Sequence, residues 1–169
     1  ALGLAVYDAP MKSEEAFRTI TDFRPDLYLV VAYGEILSER ILSLPRIAPL
    51  NVHFSLLPRY RGATPVQTAI MNGDAVTGTT LMVMDRGLDT GDIIAQAEIP
   101  IASDETAASL FERLIARSLE LLEEHWEEIC DGSFKRRPQV GEPSYTTRIK
   151  KEDLFLDWHR NARDLYNLI

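Results

Sequence analysis

Hydrophobic and polar positions along this chain switch between two periods, and the switches predict its elements. A continuous apolar run with β-branched members, Leu27-Tyr28-Leu29-Val30-Val31-Ala32, reads as a strand covered on both faces and ends at Gly34. Shorter runs predict strands at Leu2 to Val6, bounded by Asp8 and Pro10, and at Leu50 to Phe54. Residues 79–84 and 93–99 predict a β-hairpin whose connector, residues 85–92, is acidic and rich in turn formers. Helical spacing appears between these runs. Ser13 is placed to cap a helix with Glu14 and Glu15 in its first turn, closed by Pro25, and Ser38 a short one stopped by Pro45.

Thr64-Pro65-Val66-Gln67 has the spelling of a capping box with Pro at the first helical position, and Asn72-Gly73 is the stop. Such a cap is worth about 0.5–2 kcal/mol. From Asp104 to Cys130, Leu110, Phe111, Leu114, Ile115, Leu119, Leu122, Trp126 and Ile129 recur at three and four, predicting one amphipathic helix whose Leu stripe and Trp126 face the core. Asn161 is the expected N-cap of a last helix. Strands alternating with helices predict an α/β domain built on a largely parallel, Rossmann-like sheet flanked by helices.

Composition narrows the function classes. With 169 residues, 46% hydrophobic and 26% charged, the chain can bury a core and fits one domain. A net charge of −8 argues against gripping nucleic acid by charge alone, with Lys135-Arg136-Arg137 more simply read as a solvated face. The single cysteine, Cys130, excludes an intrachain disulfide and fits a reducing cytoplasm. No apolar stretch approaches the ~20 residues of a membrane helix, so no membrane partner is expected. His53, His125 and His159 are too scattered for a metal site, and none is expected. Residue 1 is not Met and a strand-like run begins at once, which reads as a chain starting partway into a fold.

Candidate chemistry gathers at two places. Asn51 and His53 lie two apart at a strand end, so their side chains share a face where α/β sheets bind ligands. A carboxylate facing an imidazole favours its charged form, and Asp89, flanked by Gly87 and Gly91, is the candidate. Asn51 could then donate to a carbonyl oxygen gaining charge, His53 stabilise that charge or move a proton, and Asp89 orient the ring. The competing reading has His53 bonding a loop carbonyl, Asn51 capping a turn and Asp89 bracing its own loop. Asp89-Thr90-Gly91 also matches an aspartic-protease half-site, which needs a second Asp and an all-β scaffold that the alternating pattern contradicts.

Asn51-Val52-His53, Ser55-Leu56-Leu57-Pro58-Arg59-Tyr60-Arg61-Gly62-Ala63 and Met84-Asp85-Arg86-Gly87-Leu88-Asp89-Thr90-Gly91-Asp92, taken together, resemble the 10-formyltetrahydrofolate-dependent formyltransferases. The resemblance runs from the strand before Ser13 to Asp157-Trp158 and is most similar to the branch acting on methionyl-tRNA. It implies Asn51, His53 and Asp89 as catalytic residues and 10-formyltetrahydrofolate as the donor co-substrate. It also implies a folate pocket lined by Ala32, Tyr33, Gly34, Glu35, Ile36 and Leu37, by Ser55, Leu56, Leu57 and Pro58, and by Asp85, Gly87, Leu88, Thr90 and Gly91. Arg59, Tyr60, Arg61 and Gly62 would form a substrate-side loop.

The implied acceptor is the α-amine of methionyl initiator tRNA, in translation initiation. A sugar nucleotide, glycinamide ribonucleotide, water or an idle folate-binding module remain the alternatives. Phe54 departs from the small residue the family more often has there. The family's chain also carries a strand, helix and strand ahead of Leu2 and a C-terminal β-barrel domain beyond. The resemblance therefore implies a partial chain, with residues 1–150 in the catalytic domain and 151–169 at its end and the start of a linker.

Overall fold

In the computed structural model, which describes residues 3–8 and 10–169, the elements follow the expected alternation. They are α1 (Glu14–Phe23), β1 (Leu27–Val31), α2 (Glu39–Leu42), β2 (Ala48–His53), β3 (Arg61–Gly62), α3 (Pro65–Met71), β4 (Val76–Val83), β5 (Ile93–Pro100), α4 (Ala107–Glu124), α5 (Trp126–Asp131), β6 (Tyr145–Thr146) and α6 (Ala162–Leu168). The main sheet has the order β1-β2-β4-β5, and β3 pairs with β6 in a separate two-stranded ribbon.

The sheet is mixed where a largely parallel one was expected. β1 and β2 are parallel, while β2 with β4 and β4 with β5 are antiparallel. Connections decide this. The link through α2 is long enough to return the chain in the same direction, whereas the 84–92 connector makes β4 and β5 a hairpin. β1 lies at the end of the strand order, and Leu29 and Val31 are exposed rather than covered. The strand expected at the N-terminus does not form in residues 3–6, where Leu4 and Val6 are exposed and no ladder partner lies alongside; Leu2 lies outside the described residues.

Local chemistry sets the helix starts. Ser13 Oγ accepts from the Ala16 N–H at 3.0 Å and Asn161 Oδ1 from the Asp164 N–H at 2.9 Å. Thr64 caps nothing, because its hydroxyl donates instead to the Thr147 carbonyl at 2.8 Å, and Ser38 makes no side-chain cap bond. The long amphipathic segment starts at a Thr106–Ser109 capping box and breaks at His125 into α4 and α5.

Its buried stripe is Leu110, Leu114, Ser118 and Leu121, packed in one core with Leu50, Val52, Phe54, Leu81, Ala95 and Ala97 of the sheet. Ser118 is admitted because its hydroxyl donates to the Leu114 carbonyl and bonds Thr79 Oγ1, each at 2.7 Å. Leu119 and Trp126, expected in the core, are 57% and 51% exposed. At roughly 100° per residue Leu119 stands a little over a quarter of a turn beyond Ser118, the edge of the buried stripe, and Trp126 lies past the break at His125. Truncating Leu114 to Ala should accordingly cost about 2–5 kcal/mol in urea unfolding, and Leu119→Ala no more than about 0.5 kcal/mol. Equal losses would mean the stripe is wrongly assigned.

Candidate active site

Strand period places the two polar side chains at the end of β2. Leu50 and Val52 point into the core, so Asn51 and His53 point the other way, where they are 9% and 6% exposed. Polar groups buried this far need partners. His53 Nε2 lies 2.9 Å from the Tyr60 carbonyl, which can only accept, so Nε2 carries a hydrogen and Nδ1 faces the other way. There Nδ1 meets Asp89, 3.6 Å from Oδ2, an ion-pair separation longer than a hydrogen bond. His53 thus meets a loop carbonyl on one ring nitrogen and the Asp89 carboxylate on the other.

Asp89 sits at φ 53°, a left-handed conformation that Asp tolerates better than most residues. Its Oδ2 accepts from the Gly62 N–H at 2.8 Å, and its Oδ1 lies 3.4 Å from Asn51 Nδ2. One carboxylate therefore joins β2, β3 and the connector between β4 and β5. Asp85 staples that connector by accepting from the Gly87 N–H at 2.9 Å and the Thr90 hydroxyl at 2.6 Å. Gly91 is required by space, since a Cβ there would stand 1.8 Å from the Val83 carbonyl oxygen.

These groups open onto a cleft of about 840 Å³, a size suited to a cofactor-scale ligand. One wall is residues 32–37; Asn51, His53 and Met82 lie deep in it; Asp85, Arg86, Gly87, Leu88 and Asp89 form the opposite wall. Of the residues expected to line a pocket, Ala32, Tyr33, Gly34, Glu35, Ile36, Leu37, Asp85, Gly87, Leu88 and Gly62 do so.

Ser55, Leu56, Leu57, Pro58, Thr90 and Gly91 do not line it, nor do Arg59, Tyr60 and Arg61. Residues 55–58 form a buttress beneath β4. The Thr80 hydroxyl donates to the Ser55 carbonyl at 2.6 Å, Gln96 donates to the Leu57 carbonyl at 3.0 Å, and Leu57 packs with Met82 and Ile93. Arg59 is held by Asp74, with contacts of 3.0 and 3.1 Å. Burial pushes the Tyr60 phenol above its ordinary pKa; it donates to Asp74 at 2.7 Å and accepts from Asn72 at 2.9 Å, anchoring the carbonyl that His53 meets. Arg61 reaches Gln139 and Tyr145. Phe54 is a core anchor that also touches the cleft, its ring edge-on to Phe111 at 5.0 Å.

Sequence reasoning missed Lys12, Met82, Met84, Thr146, Thr147 and Arg148 at the cleft. Met82 had a signal in its two-residue spacing from Met84, just past the end of β4, and it is the register partner of Asn51. Thr146 had none, because it arrives only through the β3–β6 pairing with residues more than eighty positions earlier.

A family profile described as Formyl transferase matches residues 7–124. The chain is 44% identical over 170 residues to the methionyl-tRNA formyltransferase of Agathobacter rectalis, covering 99% of this chain and 54% of the relative. To that of Thermodesulfovibrio yellowstonii it is 40% identical over 159 residues, covering 94% and 52%. Among solved structures, the N-formyltransferase of Helicobacter canadensis in complex with folinic acid and dTDP-3-aminofucose superposes with a TM-score of 0.67 at 29% identity, covering 71% of this chain and 45% of that one. The chain spans about half the length of the curated relatives it matches. With a profile matched over most of its residues and a polar cluster opening on a ligand-sized cleft, the chain belongs to the formyl transferase family.

Proposed function

We propose that this chain carries the catalytic centre of an enzyme that transfers a formyl group from 10-formyltetrahydrofolate to the α-amine of methionyl initiator tRNA, in translation initiation. The observation that carries the reading is the convergence of Asn51, His53 and Asp89 at one end of the cleft. The folate derivative bound by the Helicobacter canadensis enzyme supports a folate donor, and the identities of 40–44% to methionyl-tRNA formyltransferases support the acceptor. Residues 1–150 then belong to the catalytic domain and 151–169 lead out of it. α6 is still seated on the domain through a 3.1 Å bond from Arg163 to the Ser103 carbonyl. No helix among the described residues is long and apolar enough to cross a membrane. The reading assigns the enzyme to the cytoplasm.

In this reading the donor lies in the cleft between residues 32–37 and 85–88, with its formyl carbon next to Asn51 and His53. The neutral amine attacks that carbon, and the carbonyl π electrons move onto oxygen. Asn51 Nδ2 and a proton on His53 Nδ1 stabilise the oxyanion. Asp89 lies within ion-pair distance of His53 Nδ1 and stabilises the imidazole whenever it carries the charge. As the C–N10 bond breaks, N10 takes a proton and the former amine loses one, giving the formamide and tetrahydrofolate. His53 is the proton carrier, with Asp89 setting the direction of its Nδ1. Water is kept from the imidazole by its burial and by the Tyr60 carbonyl on its far nitrogen.

A sugar-nucleotide acceptor is the second reading, favoured by the aminosugar nucleotide in the complex from Helicobacter canadensis. Supplying the full-length protein with 10-formyltetrahydrofolate and, separately, methionyl initiator tRNA, a dTDP-aminosugar and buffer alone decides between them. Formyl-methionyl-tRNA is the expected product; turnover confined to the sugar nucleotide or to water overturns the reading. With the preferred acceptor, His53→Ala should lower kcat by about 10²-fold or more, the scale of a lost acid–base group. Asp89→Ala should also lower kcat while tetrahydrofolate still binds. Near-normal turnover in either variant would remove that residue from the mechanism.

A further inference from the structure

Gln139 lies outside the residues matched by the family profile, in the segment between α5 and β6. That segment is pinned to the start of β5 by paired backbone bonds between Ile93 and Arg137, at 2.8 and 2.9 Å. Two residues on, the half-buried Gln139 side chain reaches back beneath the catalytic connector. Its Nε2 donates to the Asp89 carbonyl and to the Gly91 carbonyl, each at 2.8 Å. Its Oε1 accepts from Arg61 Nε at 3.1 Å and Arg61 Nη2 at 2.7 Å.

This arrangement uses both amide hydrogens and the amide oxygen, and only one orientation satisfies it. Two carbonyls need the NH₂ and a guanidinium needs the oxygen. Asp89 is at φ 53°, a conformation that costs an L-residue free energy and persists where surrounding bonds over-determine it. Within the connector, the Asp85 bonds hold Gly87 and Thr90 and leave Asp89 to other partners. The bonds from Gln139 grip the backbone on both sides of Thr90 and tie it to Arg61, the neighbour of the Gly62 whose N–H the Asp89 carboxylate accepts.

We propose that Gln139 is a positioning residue that holds Asp89 in its left-handed conformation and so aims the carboxylate at Asn51, His53 and the Gly62 N–H. Gln139 touches no reacting atom. It acts by fixing the backbone from which Asp89 projects, where a displacement of about 1 Å is enough to cost up to 10²-fold in rate. The effect on turnover rests on the formyl-transfer reading; the effect on Asp89 does not.

Gln139→Glu separates the two halves of the side chain. A carboxylate still accepts from Arg61 but has no hydrogen for the Asp89 and Gly91 carbonyls. The Gly62 amide reports on Asp89 directly, because its hydrogen goes to Oδ2. In the full-length Gln139→Glu protein, hydrogen exchange at Gly62 should speed by about 10-fold or more, with exchange at Leu114 in the core unchanged. With 10-formyltetrahydrofolate and methionyl-tRNA, kcat should fall by about 10- to 100-fold and KM for the folate by no more than about twofold either way. In an Asp89→Asn background, adding Gln139→Glu should change kcat by less than about twofold, since the two act through one group.

Unchanged Gly62 exchange and unchanged kcat in Gln139→Glu overturn the inference and leave Gln139 as a partner of Arg61 alone. Parallel acceleration of exchange at Gly62 and Leu114 also overturns it, as does a full multiplicative loss in the Asp89→Asn background. If the wild-type protein transfers no formyl group while Gly62 exchange behaves as expected, the functional reading fails and the positioning role of Gln139 stands.

Discussion

The register of β2 is the constraint on which the site depends. Side chains alternate along a strand, so sliding β2 by one residue would bring Asn51 and His53 into the core and turn Leu50 and Val52 toward the cleft. Two neighbours prevent this. β1 fixes Leu29 opposite Leu50 and Val31 opposite Val52, while β4 fixes Met82 opposite Asn51 and Thr80 opposite His53. Because one face of β2 packs against Leu81, Leu110 and Leu114, a slip would expose apolar surface and bury unpaired polar groups together. The core thus decides which face of β2 Asn51 and His53 occupy. Residues 55–58 reinforce it from beneath, since Thr80 is bonded to the Ser55 carbonyl and to the Leu57 N–H.

Around that strand end the polar groups are arranged so that each satisfies another. His53 is fixed at Nε2 by a carbonyl, which leaves Nδ1 facing Asp89. The carbonyl is held in turn by Tyr60, whose backbone N–H donates to Ser144 Oγ at 2.8 Å and whose hydroxyl is bound by Asp74 and Asn72. Segments far apart in the chain therefore meet at one imidazole.

What could be read from the residues follows a physical division. Asn51 and His53 were legible because strand period is a local rule, and Asp89 because paired glycines mark a backbone that must turn sharply. The direction of the strands was not legible: an apolar run signals burial, whereas parallel or antiparallel pairing is decided by the length and course of the connection. Residues 55–58 misled for a related reason. An apolar loop beside a polar strand end looks like a pocket wall, but Leu57 had Met82 and Ile93 available as neighbours and went into the interior. Thr64 had the spelling of a cap and found a better acceptor in Thr147, brought there by the β3–β6 ribbon. Arg148 belongs to that same non-local category, with no pattern near it in the chain.

The net charge of −8 also takes on a different meaning once charges have positions. A phosphate-bearing acceptor responds to the potential at the cleft, and at physiological ionic strength exposed charges beyond a Debye length of about 8 Å are largely screened. Lys12, Arg86 and Arg148 line the cleft beside Glu35, Asp85 and Asp89, so the rim is balanced although the chain is acidic. Several of the remaining carboxylates are engaged on helices away from it, as Glu120 and Glu124 are by Arg117 at 2.9 and 3.0 Å. The overall balance of acidic and basic residues governs solubility and non-specific attraction, and it neither favours nor opposes a nucleic-acid substrate at this cleft.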